Sequence, residues 1–226
     1  MADEKRRAGN DLAQLRARYL AALLEGNRRE ALRLVIEEGI ERGASVLEVQ
    51  LGVIQEAQRE LGRLWQENGI SVAQEHMATA ISNVALSHLY DHAPRARANG
   101  KRVMVACVEG ELHDFPARLV ADALDLAGFD VRYLGANVPT DVLIQAVQTD
   151  APDLLALSAT MTFNMPALRA AVGCVRAGVE RPVPIAIGGG ACSWAQSVSS
   201  ELQAEITAGD AEELVFAARR LLGVAP

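Results

Sequence analysis

Glu111 and His113 lie two residues apart in the run Glu109-Gly110-Glu111-Leu112-His113-Asp114-Phe115-Pro116, and their types suit metal chemistry. A neutral imidazole binds a transition metal through one nitrogen. Its other nitrogen then needs an acceptor, commonly a carboxylate, which fixes the tautomer and raises the ligand's basicity. Glu111 suits that role, with Ser158 of Ser158-Ala159-Thr160-Met161-Thr162 extending the relay. One histidine does not hold a bare ion, because protein metal sites use about three or four ligands. A metal already chelated by a macrocycle needs only one. Gly188-Gly189-Gly190 removes side chains where a large cofactor would lie against backbone. Each feature also has a plain use, the histidine as a hydrogen-bonded loop residue and the glycines as a strand-to-helix turn. Their convergence is what points to a cofactor.

Convergence needs elements to bring it about. Strand-like runs alternate with helices in the second half: RVMVACVE (102–109), FDVRYLG (129–135), LLALSAT (154–160), PIAIGGG (184–190) and EITAG (205–209). Gly128 stops the first of these helices, Thr140 caps the second, and Asp210 with Glu213 forms a capping box for the last. Strands buried on both faces and separated by helices predict an α/β fold with a doubly wound parallel sheet. Five strands fit the flavodoxin-like, Rossmann-like order 2-1-3-4-5. Ligands of such sheets bind at the carboxyl ends of the strands, in the crevice where the winding reverses. The loop after strand one carries Glu111 and His113, strand three ends at Ser158 and Thr160, and strand four ends in the glycines.

Residues 1–94 read as helices only. Asn27 with Glu30, Ser45 with Glu48 and Ser71 with Gln74 are capping boxes that open apolar-periodic runs, and Gly26 and Asn68-Gly69 break them. Four amphipathic helices with short connections predict a four-helix bundle. A polar linker over 94–100 separates it from the α/β domain at 101–226.

From Arg102 to Leu222 the chain resembles the cobalamin-binding domain family, whose signature is Asp/Glu-x-His-x-x-Gly, then Ser-x-Leu/Thr, then Gly-Gly. The matching residues are Glu111-x-His113, Ser158-x-Thr160 and Gly188-Gly189-Gly190, with LAGFDVRYLGANVP between them. The resemblance implies that His113 ligates cobalt from below. It also implies that Glu111, Asp114, Phe115, Ser158, Thr160, Gly188, Gly189 and Gly190 line the cofactor and the slot for its displaced nucleotide tail. Pro116 stands where the motif has glycine.

The bundle sharpens this. Trp65, nine residues, then Glu75-His76 is similar to the light-responsive cobalamin-dependent repressors of carotenoid synthesis. That likeness implies Trp65, Glu75 and His76 capping the upper axial group, with adenosylcobalamin as cofactor. Gln66 replaces the histidine that some of those repressors carry after the tryptophan, and residues 1 to 9 hold no counterpart of their winged-helix DNA-binding domain. Some relatives also bind a linear tetrapyrrole such as biliverdin.

Composition restricts the partners. The 226 residues are 50% hydrophobic and 23% charged, with net charge −7. An acidic surface disfavours direct contact with nucleic acid, and no apolar run is long enough to span a membrane. MADEKRRAGND has no apolar stretch behind its basic residues, so it does not read as a secretory signal. Three scattered cysteines without metal or redox spacing suit a reducing cytoplasm, and Cys107 within a buried strand reads as a small apolar residue. His88 and His92 share a helix face but lack a third ligand. The acidic loop after strand one argues against a flavin phosphate, and the lack of Gly-x-Gly-x-x-Gly there argues against a dinucleotide.

These readings predict a non-enzymatic, stand-alone cobalamin photoreceptor. Loss of the upper group in light would change bundle packing in a homo-oligomer and signal to an unidentified output protein. The alternative is a corrinoid methyl carrier of a methyltransferase system. A third class is a regulatory module that binds cobalamin without photochemistry.

Overall fold

The computed structural model describes residues 2–94, 96–194 and 198–225. The chain divides into two compact units, residues 1–94 and 95–226.

The first unit has four helical rods. They are α1 (Ala2–Leu24); α2 (Arg28–Arg33), continued by a π-helical segment Leu34–Ile40; α3 (Val46–Val49), continued by π-helical Gln50–Gln55 and α4 (Glu56–Gln66); and α5 (Val72–Tyr90). Ser45 and Ser71 form full capping boxes with Glu48 and Gln74. At Asn27 only half of the motif forms: its side chain accepts from the Glu30 N–H, while the Glu30 carboxylate turns to Arg33. A charged pair is worth more to that carboxylate than one exposed backbone donor. Tyr19, Leu23, Leu34, Ile54, Leu61, Leu86 and Leu89 are fully buried. The two π-helical segments have no counterpart in the apolar spacing, which reads as ordinary α-helix.

The second unit holds β1 (Arg102–Cys107), α6 (Phe115–Leu126), β2 (Asp130–Gly135), α7 (Thr140–Asp150), β3 (Leu154–Ser158), α8 (Met165–Gly178), β4 (Ile185–Gly188), α9 (Gly190–Trp194), α10 (Val198–Leu202), β5 (Ile206–Ala208) and α11 (Ala211–Leu222). Every strand pair is parallel, in the order β2-β1-β3-β4-β5. Side chains alternate between faces along each strand. Met104, Ala106, Leu155, Leu157 and Ile187 pack with Leu143 of α7 and Leu168 of α8. Val103, Val105, Leu154 and Ala156 pack with Leu124 of α6 and Leu214 of α11.

Two caps differ from expectation. α7 begins at Thr140 itself, after Pro139, and the Thr140 hydroxyl and N–H approach Glu109 at 3.5 and 3.4 Å. The fixed φ of Pro139 already sets the entry, so no side-chain cap is needed. Asp210 accepts from the Glu213 N–H as expected, but the Glu213 carboxylate returns to the N–H of Gly209 instead of that of Asp210. β1, β3 and β4 also end earlier than the apolar runs do, which frees residues 108–114, 159–164 and 189–190 to form loops at their carboxyl ends.

Asp122 on α6 has a buried Oδ2 without a hydrogen-bond partner among the described residues. Burial pushes its carboxyl from 3.8 up to about 6, against the pull of Arg118. The folded state therefore favours the protonated form, so this stability is present at low pH and is lost as pH rises from about 4 through 6. Asp122→Asn should stabilise the protein at pH 8 by ~1–2 kcal/mol, after discounting for partial exposure, and hardly at all at pH 4. Denaturant unfolding of both proteins at the two pH values measures this. Equal gains at both would contradict it.

Candidate functional site

Register puts Cys107, Ser158, Gly188 and Ala208 in one row across the sheet, at the last position of β1, β3, β4 and β5. The chain leaves the sheet just beyond that row, and the loops after β1 and β3 meet there.

Glu111 is the centre of the meeting. It is 0% exposed. Its Oε1 accepts from the His113 backbone N–H at 2.9 Å and lies 2.6 Å from His113 Nδ1. Its Oε2 accepts from the backbone N–H groups of Thr160 at 2.7 Å and Met161 at 3.0 Å, and from Asn164 Nδ2 at 2.9 Å. Two carboxylate oxygens offer roughly four lone-pair sites, so these five donors saturate Glu111. Burial alone would raise its pKa. The hydrogen bonds from the His113 ring, Met161, Asn164 and the His113 backbone outweigh that and hold it at about 2. Glu111 is thus a carboxylate at neutral pH, and the proton of the short contact belongs to His113 Nδ1. Any metal bond to this imidazole would then use Nε2. The His113 side chain is 39% exposed, as an external ligand requires.

The carboxylate–imidazole pair expected from Glu111 and His113 is present. The extension through Ser158 is not: its hydroxyl is buried without a hydrogen-bond partner. Ser158 follows Leu154 and Ala156 in alternation, which places it on the sheet face of Cys107, and Glu111 has no acceptor site left. Thr160 holds Glu111 by its backbone, while its hydroxyl lies 3.5 Å from the His113 carbonyl. Asp114 precedes α6, and its carboxylate accepts from the Tyr133 hydroxyl at 3.2 Å. Phe115 is buried at the start of α6, with Pro116 in the first turn. Proline suits that turn, whose N–H groups have no helical partner.

The glycine run is close-packed. Gly189 has φ +93°, and a Cβ there would lie 2.4 Å from the Ala159 carbonyl oxygen. Gly190 and Gly188 would bring a Cβ to 3.0 Å from the Thr160 carbonyl and 3.2 Å from that of Ala208. Cys107 has its thiol pushed up to about 12, by burial first and then by Asp114 and Glu111, as befits an inert core thiol.

Sequence reasoning missed Asn164 and Asn137. The Asn137 side chain accepts from the Gly110 N–H at 2.8 Å, and its N–H donates to the Glu111 carbonyl at 2.9 Å. Asn164, two residues before Pro166, reads from sequence as a helix cap. Asn137 sits at φ +51°, which asparagine tolerates better than most residues.

In the helical unit, Trp65 occupies the last turn of α4 and is half-buried, not part of the fully buried core. Glu75 Oε2 lies 2.6 Å from Nδ1 of the exposed His76, and Thr79 approaches Glu75 Oε1 at 2.8 Å. His88 and His92 are exposed, and no cluster of metal-ligating side chains occurs among the described residues. No helix is long and apolar enough to cross a membrane among those residues.

Comparison with known proteins places this geometry. The B12 binding domain family matches residues 101–218, and a second family of the same description matches residues 15–90. A dimethylamine corrinoid protein of Methanosarcina acetivorans is 28% identical over 168 residues, covering 72% of this chain and 77% of that one. The HTH-type transcriptional repressor CarH of Myxococcus xanthus is 27% identical over 151 residues, 67% of this chain and 50% of the repressor. The structure of the Methanosarcina barkeri monomethylamine corrinoid protein superposes with a TM-score of 0.82 at 20% identity, over 92% of this chain and 99% of that one, and so shares the fold. With more than half of its length matched, the chain belongs to the B12-binding domain family.

Proposed function

We propose that the chain is a corrinoid carrier, which holds cobalamin at the carboxyl ends of β1, β3 and β4 and presents it to a methyltransferase. The observation that carries this reading is the imidazole of His113, fixed through Nδ1 by a buried, fully hydrogen-bonded carboxylate. Such a pair makes Nε2 a basic lower ligand of defined orientation. The residues suit a nucleotide tail as well. The buried Ser158 hydroxyl lacks a partner that a ligand would supply, and Gly188, Gly189 and Gly190 keep side chains away from the same rim. Bound cobalamin supplies a cobalt–carbon bond that can be made and broken. The residues orient the cofactor and hold the Nδ1 proton. The carrier is not itself a catalyst.

The carrier reading gains support from the dimethylamine corrinoid relatives, which match most of their own length, whereas the repressor is matched over 50%. The photoreceptor is kept as a second reading on a specific observation: Trp65 is only half-buried, next to Gln66, and the Glu75–His76 pair is formed. Adenosylcobalamin, a bilin, a homo-oligomer and an output protein belong to that second reading.

One experiment separates the two. Protein loaded with methylcobalamin is mixed with a corrinoid-dependent methyltransferase and a thiol acceptor. Protein loaded with adenosylcobalamin is sized before and after green light. Methylated thiol with no light-dependent change in size is the expected result. A size change without methyl transfer would replace the carrier with the sensor, and a red band after biliverdin is added would extend that to a bilin sensor.

A further inference from the structure

We propose that Asn164, and not Ser158, is the positioning residue that aims Glu111 at His113; the proposal rests on the reading of His113 as lower ligand. Asn164 is 6% exposed and follows a 3-10 turn, Thr162–Asn164, that is closed by its own N–H on the Met161 carbonyl at 2.9 Å. It stands at the N-cap of α8, where an asparagine ordinarily spends its side chain on the first turn of the helix. Here it makes no such cap, and its backbone is helical, at φ −88° and ψ −1°. The amide is used elsewhere: Nδ2 donates to Glu111 Oε2 at 2.9 Å and approaches the Gly110 carbonyl at 3.5 Å. The helix forgoes a cap worth ~1 kcal/mol, and the bond made instead is a buried one to a charged acceptor, the stronger kind.

The geometry explains why this side chain is the one that sets orientation. Glu111 Oε2 is held by two backbone N–H groups from one short segment, Thr160 and Met161. Asn164 adds the only side-chain donor to that oxygen among the described residues. With Oε2 pinned, Oε1 is left to face both nitrogens of His113, its N–H and Nδ1. Gly110 makes room for the arrangement. It has φ +82°, and a Cβ there would lie 3.3 Å from Asn164 Oδ1. Asn137 fixes the same loop from the other side through the Gly110 N–H and the Glu111 carbonyl. The loop bearing the candidate ligand is therefore clamped between two asparagines, one after β2 and one after β3. Only Asn164 touches the carboxylate that meets the imidazole.

The test uses hydroxocobalamin and the full chain. Asn164→Leu keeps the volume and removes the donor; Asn164→Ala serves if leucine does not fold. Each is compared with wild type, His113→Ala, Glu111→Ala and the Glu111→Ala/Asn164→Leu double variant. The expected result is about tenfold weaker hydroxocobalamin binding for Asn164→Leu, with the absorption of the bound cofactor moved toward that seen in His113→Ala. In the double variant the Asn164 change should add nothing to the loss from Glu111→Ala, because it acts through that carboxylate. A lower melting point for the apo protein, with wild-type absorption and affinity, would overturn the proposal and leave Asn164 a packing residue. Full additivity in the double variant would overturn it too. If His113→Ala itself leaves the absorption unchanged, the ligand reading fails first, and that outcome is distinct from the other two.

Discussion

Gly189→Ala should lose ~3 kcal/mol or more of stability and lower the melting temperature by roughly 10 °C. Two independent costs add. The backbone sits at φ +93°, where an L side chain is strained. In addition, the new methyl would lie 2.4 Å from the carbonyl oxygen of Ala159, 2.7 Å from its carbon and 3.0 Å from its nitrogen. These are backbone atoms, not the loose end of a side chain, so relief requires β3 and β4 to separate just where they are joined. The Ala159 N–H donates to Gly188 and the Ala191 N–H to Ala159, at 3.0 and 3.1 Å. The damage should grade with contact distance: Gly190→Ala, at 3.0 Å from the Thr160 carbonyl and without a positive φ, costs less, and Gly188→Ala, at 3.2 Å from Ala208, least. Thermal unfolding followed by circular dichroism tests the ranking. An unchanged melting point for Gly189→Ala would show that the loops after β3 and β4 can move apart freely.

The glycine run also shows how far the sequence could be read. As letters, Gly188-Gly189-Gly190 is equally a turn or a cradle, and only the Ala159 contact shows that the middle glycine is fixed by the fold itself. The order of the strands was legible because burial on both faces and the intervening helices leave few right-handed solutions. The Glu111–His113 pair was legible because their separation in sequence is short enough to set their separation in space. Ser158 was misread and Asn164 missed for one reason. Which of several polar residues in a loop reaches a buried carboxylate depends on which sheet face each leaves from, and on which lone pairs backbone donors have already filled. Residue type and spacing carry neither. The π-helical segments 34–40 and 50–55 were hidden in the same way, since one extra residue per turn hardly disturbs an apolar period over so short a run.

His113→Ala should abolish lower-face ligation by the protein while leaving the fold intact. The residue lies in the loop before α6, its side chain is 39% exposed, and its backbone N–H keeps its bond to Glu111 whatever the side chain is. Glu111 loses one donor of five and stays saturated by Thr160, Met161, Asn164 and the remaining backbone N–H. The apo protein should therefore melt within a few degrees of wild type, on the scale of a ~1 kcal/mol loss. The affinity for hydroxocobalamin should fall by more than the roughly 10–100-fold typical of deleting a partner behind a metal ligand. Its absorption should become that of cobalamin ligated by its own base or by water, and added imidazole should restore part of the lost spectrum. Glu111→Gln should divide these effects differently. An amide in that pocket turns an –NH2 toward donors that need acceptors, from Thr160 and Met161 on one oxygen or His113 on the other. The glutamine variant should lose stability as well as affinity, whereas the alanine variant loses affinity alone. Should His113→Ala bind hydroxocobalamin as wild type does, with the same spectrum, the imidazole held by Glu111 would be a loop contact and the lower ligand would have to be sought elsewhere.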